Sequence, residues 1–207
     1  TGQFSRARFL LESILSKASI SQRLLIAAHA NLGEICYFER RFDEAHGHFS
    51  ASVAGFQREG IALDLPQAQI GLARVLLARR DSGDLKRAAD LLASVNDSGL
   101  RSEAERRRHR CALSLLELQT GEPRRAAACL RGERQGRAAP WFYDLLASPV
   151  EHAYLTAICL QACGRERDAQ RALTRGRAAL GRLLGKLGST EQQRLLLQSW
   201  RVAKALS

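Results

Sequence analysis

The chain has 207 residues, of which 45% are hydrophobic and 26% are charged. This composition excludes a disordered tail, a collagen-like chain and a small disulfide scaffold. No apolar run approaches the ~20 residues that a membrane span needs, so we expect a soluble chain with no membrane partner. The formal net charge is +11, and Arg supplies 28 of the 32 basic residues. Such a charge is typical of proteins with acidic partners or nucleic acid, and also of an Arg-rich solvated surface.

Cysteine usage bears on the cellular compartment. The five Cys are an odd number, and none of them forms a C-x-x-C pair. This pattern favours reduced thiols in the cytoplasm over a disulfide framework. The residues given contain no charged segment followed by an apolar stretch, which is what a signal peptide would show. The sequence therefore predicts a cytoplasmic protein.

A short pattern recurs five times along the chain. The pattern begins with a Gly or a turn, which is followed by an apolar residue or Pro. An Ala stands three residues after that apolar residue or Pro, and a further apolar residue stands four residues after the Ala. The aligned alanines are 38, 43, 38 and 43 residues apart, and they are Ala7, Ala45, Ala88, Ala126 and Ala169. Self-similarity of this regularity predicts an array of structural repeats.

A helix is predicted before each of the last four alanines and again at the end of the chain. Apolar residues at helical spacing place these helices at 20–38, 65–79, 103–119, 149–163 and about 190–206. Capping boxes are predicted at Ser19 with Gln22 and at Ser102 with Glu105, and Ser148 is the expected cap before Pro149. No segment alternates with a period of two, so no strands are expected.

Antiparallel helix pairs cannot bury their apolar faces alone, and stacking them makes a continuous core. We therefore predict an all-α, right-handed α-solenoid with a polar-backed C-terminal capping helix. The expected units are a half repeat at 1–18, repeats at about 19–60, 64–97, 102–135 and 148–187, and the capping helix at 189–207. The half repeat has no partner helix before it, from which we expect a fragment of a longer protein.

The stretch 30–49 carries a resemblance to a known family. It is similar to a tetratricopeptide (TPR) repeat: the Leu32-Gly33 pair is intact, and Ala45 and Phe49 stand at the second-helix positions of the motif. The resemblance implies a superhelix of helix pairs. The Arg-, Ala- and Leu-rich composition of these degenerate repeats also resembles that of the TPR regions of large bacterial signalling ATPases, kinases and transcriptional regulators.

The chain departs from the family pattern in several places. His29 replaces the motif's Trp, Cys36 replaces its Tyr, and the third repeat carries about three extra residues in its turn, including Asp81 and Ser82. The spacing between repeats also exceeds the usual 34 residues, so armadillo-like or HEAT-like stacks stay open as an alternative.

The resemblance implies that the first helix of each pair lines a concave groove that binds extended or helical peptides. The function predicted from it is a non-enzymatic protein-interaction scaffold in signalling or regulation, with no cofactor. Positions facing this groove come from four successive first helices, and they are Asn31, Glu34, Tyr37, Phe38, Arg74, Arg108, Tyr154 and Ile158. Of the adjacent pair, Tyr37 is the better groove candidate because its hydroxyl tolerates a wet surface.

Catalytic and metal sites have little support in the sequence. There is no Gly-rich phosphate loop, no G-x-S-x-G and no H-E-x-x-H, so we do not expect an enzyme. His152, Cys159 and Cys163 share one face of one helix and could begin a zinc site. Core packing is the favoured interpretation, because Cys is commonly buried.

Two further segments leave alternatives open. The basic segment 101–110 could contact nucleic acid, which makes a nucleic-acid-binding helical-repeat protein the alternative function. Glu103 and Glu105 within it favour a solvated helix face held by pairing with His109 and Arg108. The aromatic run 141–143 either folds back into the seam between repeats or serves as a binding anchor.

Overall fold

A computed structural model describes residues 2–17, 19–96, 99–131 and 149–186, together with positions 190, 193, 194, 197 and 205. Within these ranges the regular structure is entirely α-helical, which confirms the predicted all-α class. The helices are α1 (Gly2–Leu15), α2 (Gln22–Phe38), α3 (Phe42–Arg58), α4 (Leu65–Arg79), α5 (Asp84–Ser94), α6 (Glu103–Gln119), α7 (Pro123–Cys129), α8 (Pro149–Ala162) and α9 (Glu166–Gly185). The predicted capping helix and the run 141–143 lie largely or wholly outside the described residues.

The starts of α2 and α6 test the predicted caps. At α6 the hydroxyl of Ser102 accepts from the backbone N–H of Glu105, and the Glu105 carboxylate accepts from the backbone of Ser102, so the capping box is confirmed. At α2 the predicted cap is wrong by two residues. Ser21 occupies the N-cap, and its Oγ lies 3.4 Å from the backbone nitrogen of Leu24.

The chain divides into two compact units, residues 1–99 and residues 100–207. In the first unit each helix from α1 to α5 packs against the next along the chain, and α2 also lies beside α4. In the second unit α6 packs against α7 and α8, α7 packs against α8, and α8 packs against α9. Neighbouring helices therefore pack in sequence order within each unit.

Three helix pairs are joined by the same tight turn. Arg40, Gly121 and Gly164 follow α2, α6 and α8, and each has a positive φ, of 62°, 81° and 72°. Each donates its N–H to the carbonyl three residues back, and the next residue donates to the carbonyl five back. This is the Schellman motif, which satisfies the orphan carbonyls of a helix end. Because each turn lies five residues before an aligned alanine, the sequence repeat corresponds to a repeated hairpin.

The turn after α4 is longer, as predicted from its extra residues. Here both Arg80 and Gly83 have a positive φ, of 64° and 82°, and α5 begins only at Asp84. The Asp84 carboxylate is buried, and its Oδ1 and Oδ2 accept from Arg79 Nη2 at 2.9 Å and Arg79 Nε at 3.0 Å. These hydrogen bonds fix the longer connection.

Four of the five aligned alanines are core residues, whereas Ala7 on α1 is half-buried. Ala45, Ala88 and Ala126 are fully buried and Ala169 is nearly so, at the start of α3, α5, α7 and α9 respectively. A methyl group at each position lets neighbouring helices approach closely, since any larger side chain would overpack the contact. The recurrence found in the sequence therefore marks the helix contacts of the core.

Candidate functional site

Three of the predicted groove residues meet where α2 lies beside α4 in the first unit. Arg74 Nη1 is 3.4 Å from Glu34 Oε2. The guanidinium carbon of Arg74 is 4.4 Å from the centre of the Tyr37 ring. A guanidinium at this distance over an aromatic face is attracted by the ring's quadrupole. Arg74 therefore joins an ion pair to a cation–π contact, and both link α4 to α2.

Burial separates these three residues into two kinds. The side chains of Arg74 and Glu34 are 4% and 9% exposed, whereas Tyr37 is half-buried. A buried ion pair must be desolvated, so its partners depend strongly on each other. The buried pair of Arg74 and Glu34 consequently holds α2 and α4 together beneath the surface. Tyr37 is the one of the three residues that is accessible to solvent.

The orientation of Tyr37 is set by other aromatic rings as well. Its ring centre is 5.9 Å from that of Phe38, edge to face, and 5.9 Å from that of Phe42. Aromatic rings at this separation attract each other, and the two contacts therefore stabilise the observed orientation of the Tyr37 ring. Phe38 itself is buried, because adjacent residues on a helix are rotated by about 100° and the rotation turns Phe38 inward.

Asn31 lies one to two turns before Tyr37 on α2 and is half-buried. Its Nδ2 donates to the carbonyl oxygen of Ala27 at 2.9 Å, so part of its hydrogen-bonding capacity is used by its own helix. We define the Tyr37 surface as Asn31 and Tyr37 on α2, with Glu34 and Arg74 buried beside them.

The remaining predicted groove residues belong to the second unit. Arg108 on α6 is 5% exposed, and burial lowers its pKa to about 10, while the charge of Glu151 on α8 acts in the opposite direction. Tyr154 and Ile158 on α8 are half-buried. Like Arg74, Arg108 is a buried cation under electrostatic influence from a carboxylate on a neighbouring helix.

A histidine pair between α2 and α3 is missed by the sequence analysis. His29 Nδ1 lies 3.0 Å from His48 Nδ1, and the ring centres are 5.3 Å apart. Burial lowers the pKa of both imidazoles, and for His48 the nearby His29 lowers it further. One neutral ring donates its Nδ1–H to the other. Local spacing carries no signal for this contact, because the two residues come from different helices.

The basic segment 101–110 is organised by its carboxylates, though with different partners from those predicted. Glu103 accepts from Arg106 Nε at 3.1 Å and from Arg110, and these two hydrogen bonds hold its pKa below the usual range against the effect of burial. His109 and Arg108 are buried in the structure. The segment is therefore partly core and partly an ion-paired helix face.

The side chains considered for zinc have other contacts. His152 Nε2 lies 3.2 Å from the carbonyl oxygen of Leu130, and Cys159 Sγ lies 3.5 Å from Ser114 Oγ. Burial raises the pKa of the Cys159 thiol, which disfavours the thiolate that a metal requires. Within the described ranges, no three His, Cys, Asp or Glu residues come together as a possible metal site.

No helix among the described residues has both the length and the apolar character that crossing a bilayer requires. Comparison with known proteins adds no identification. No protein-family model matches the sequence, and no curated protein is significantly similar to it.

Proposed function

We propose that this chain is a non-enzymatic, TPR-like helical-repeat module that binds a peptide or protein partner in signalling or regulation. The observation that carries the proposal is the recurrence of one hairpin: the same Schellman turn and the same buried Ala join three of the helix pairs. Repeated hairpins that pack in sequence order are the building plan of α-solenoids, whose extended surfaces serve binding. A right-handed superhelix is part of this proposal.

The Tyr37 surface is the proposed contact region. In a TPR-like array the first helices of neighbouring pairs lie side by side, and α2 and α4 do so here. Tyr and Arg are the side chains that most often dominate binding energy at interfaces. Tyr37 would contact the partner directly, and Arg74 would orient its ring through the contact described above. Such a ring binds at little entropic cost because it is already ordered.

Solution scattering tests the superhelix. A compact protein of 207 residues has a radius of gyration of about 17 Å. An open superhelix exceeds this value, so we expect a clearly larger radius and an elongated distance distribution. A radius near that of a compact protein would indicate a closed bundle and contradict the proposed architecture.

Peptide selection tests the binding site. A peptide selected from a random library on the immobilised wild-type protein serves as the probe, and its affinity is measured by fluorescence polarisation. Tyr37→Ala should weaken binding by about tenfold or more, as expected for an interface anchor. Phe9→Ala is the matched control, because Phe9 is an aromatic residue of the same unit, 70% exposed on α1.

The comparison between these variants decides the assignment. Equal loss in both variants, or loss only in Phe9→Ala, would place the partner elsewhere. Thermal melting of each variant is measured in parallel, so that binding is compared only where the protein is folded. Tyr37→Phe keeps the ring and should retain most of the affinity if stacking, rather than the hydroxyl, carries the contact.

A further inference from the structure

The last described helix, α9, has two chemically distinct faces. The face packed in the second unit is lined by small or aliphatic buried residues, which are Ala169, Ala172, Gly176, Ala179, Leu180 and Leu183. On the exposed side of α9 four arginines, Arg167, Arg171, Arg175 and Arg182, fall within one quarter of the helix circumference at 100° per residue. We call these four residues the basic face of α9.

Few carboxylates compensate this charge. Asp168 lies in the first turn, with its Oδ2 2.6 Å from Arg165 Nη2 and its Oδ1 3.6 Å from Arg171 Nη1. Beyond Asp168 no acidic residue occurs up to Glu191 in the sequence. Among the described residues, Arg167, Arg175 and Arg182 have no carboxylate within ion-pair distance. The basic face therefore presents largely uncompensated charge over about 22 Å of helix.

The side chains next to these arginines are small and exposed to solvent. Ala178 lies between them, Thr174 and Gly181 flank them on one side, and all three are exposed. A Cβ added at Gly181 would meet no described atom within 4 Å. A partner can therefore approach the helix backbone closely along this side. The face contains no aromatic or large aliphatic side chain.

This composition distinguishes between classes of anionic partner. Hot spots at protein interfaces, Arg included, lie in well-packed pockets that exclude water, whereas the four arginines are exposed on a face with no large apolar side chain around them. Membrane-surface helices insert their apolar face into lipid, but the apolar face of α9 is already buried. Single-stranded nucleic acid is bound by stacking on aromatic rings, which are also missing here. Contacts to a duplex phosphate backbone need only cations and close approach.

We propose that the basic face of α9 binds the phosphate backbone of double-stranded nucleic acid without sequence preference. This is an activity beyond the proposed partner binding, and it uses a different unit of the chain. The guanidinium groups suit the task because each can donate two parallel N–H bonds to one phosphate. Arg167, Arg171 and Arg175 follow one another at four-residue intervals, about 6 Å along the helix axis, so this row can engage successive phosphates.

The experiment measures binding of the whole chain to a fluorescent random-sequence duplex by anisotropy between ~50 and 200 mM salt. With three to four phosphates neutralised, the slope of log K against log salt should be about −3. Arg175→Gln with Arg182→Gln should reduce the slope to about −1 and weaken binding at low salt by at least tenfold.

The control removes the same charge elsewhere. Arg23→Gln with Arg58→Gln changes two arginines that are 63% and 68% exposed in the first unit. This variant should retain the slope. If both double variants lose affinity equally, binding reflects only the net charge and the proposal fails. Absence of binding at ~50 mM salt also overturns it.

Two further arms complete the design. Arg175→Lys with Arg182→Lys keeps the charge and should keep the slope, which separates charge loss from misfolding. Vesicles containing phosphatidylserine replace the duplex in a parallel titration, and tighter binding to them than to the duplex would contradict the proposal. Tyr37→Ala should bind the duplex like the wild type, so this proposal and the peptide-binding proposal can fail independently.

Discussion

The ring of Phe49, on α3, lies directly against Gly71, on α4. A Cβ added at Gly71 would overlap the ring edge, and one added at Gly33 on α2 would lie 2.8 Å from Phe49 Cδ2. Two glycines on two helices thus make room for one aromatic ring, which is 2% exposed. The two glycines therefore let α2 and α4 both pack closely against the Phe49 ring of α3.

Gly71→Ala should destabilise the protein despite the higher helix propensity of Ala. The added methyl overlaps Phe49, and overpacking of this kind lowers the free energy of unfolding by about 1–3 kcal/mol. Gly47→Ala is the control, because Gly47 is exposed on α3 with nothing within 4 Å of its Cβ position. Gly47→Ala should raise the free energy of unfolding by up to about 1 kcal/mol, because Ala has the higher helix propensity. Urea denaturation measures both, and equal stability of the two variants would contradict the packing described.

Arg40→Gly should stabilise the protein. Arg40 has a φ of 62° at the turn position where two other helix pairs have Gly121 and Gly164. A left-handed conformation disfavours a non-glycine residue by roughly 1–2 kcal/mol, partly offset by the greater freedom of Gly in the unfolded chain. We expect a net gain of about 0.5–1 kcal/mol in thermal or urea unfolding. Gly121→Ala should lower the free energy of unfolding by a similar amount. A loss of stability in Arg40→Gly would contradict the positive φ described at Arg40.

Arg74→Ala should strongly destabilise the fold. It leaves the buried Glu34 carboxylate without its cation, and breaking a buried ion pair lowers stability by about 3–5 kcal/mol. Arg58→Ala removes a cation that is 68% exposed and paired with Glu59, and its effect should stay below about 1 kcal/mol. Chemical denaturation distinguishes them. Similar losses in both variants would show that Arg74 is not buried in solution.

Stability should fall as the pH is lowered from about 7 to 5. Burial lowers the pKa of His29 and His48 below the ordinary value of 6.5, so in this range the unfolded chain binds more protons than the folded one. The contribution is fully present above 6.5 and is lost as the pH falls through the folded pKa values.

A double variant separates the contribution of this pair from that of His46. His29→Gln with His48→Gln should show a shallower pH dependence of the urea midpoint, with a residual slope because burial also lowers the pKa of His46. An unchanged slope in this variant would mean that the pair does not titrate as described.

The sequence named all four residues of the Tyr37 surface as groove positions, but it did not predict that Glu34 and Arg74 are buried and paired. Glu34, Tyr37 and Phe38 share α2, and the sequence already favoured Tyr37 over Phe38 as a groove residue. The position of Arg74 beside Glu34 depends on how α4 lies against α2. The contact between His29 and His48 likewise depends on the packing of α2 on α3, and no spacing along the chain encodes it.

Local sequence is enough to predict the all-α class, the bounds of α2, α4, α6 and α8 to within two residues, and the positions of the hairpin turns. These features depend on residues close together in the chain: apolar spacing along a helix, caps such as Ser102 with Glu105, and residues with positive φ at helix ends. Tertiary packing, by contrast, sets which polar side chains are buried, where Arg74 and Arg108 lie, and that the basic face of α9 is exposed. Burial is set by which helices cover one another, so it depends on contacts between residues far apart in the sequence.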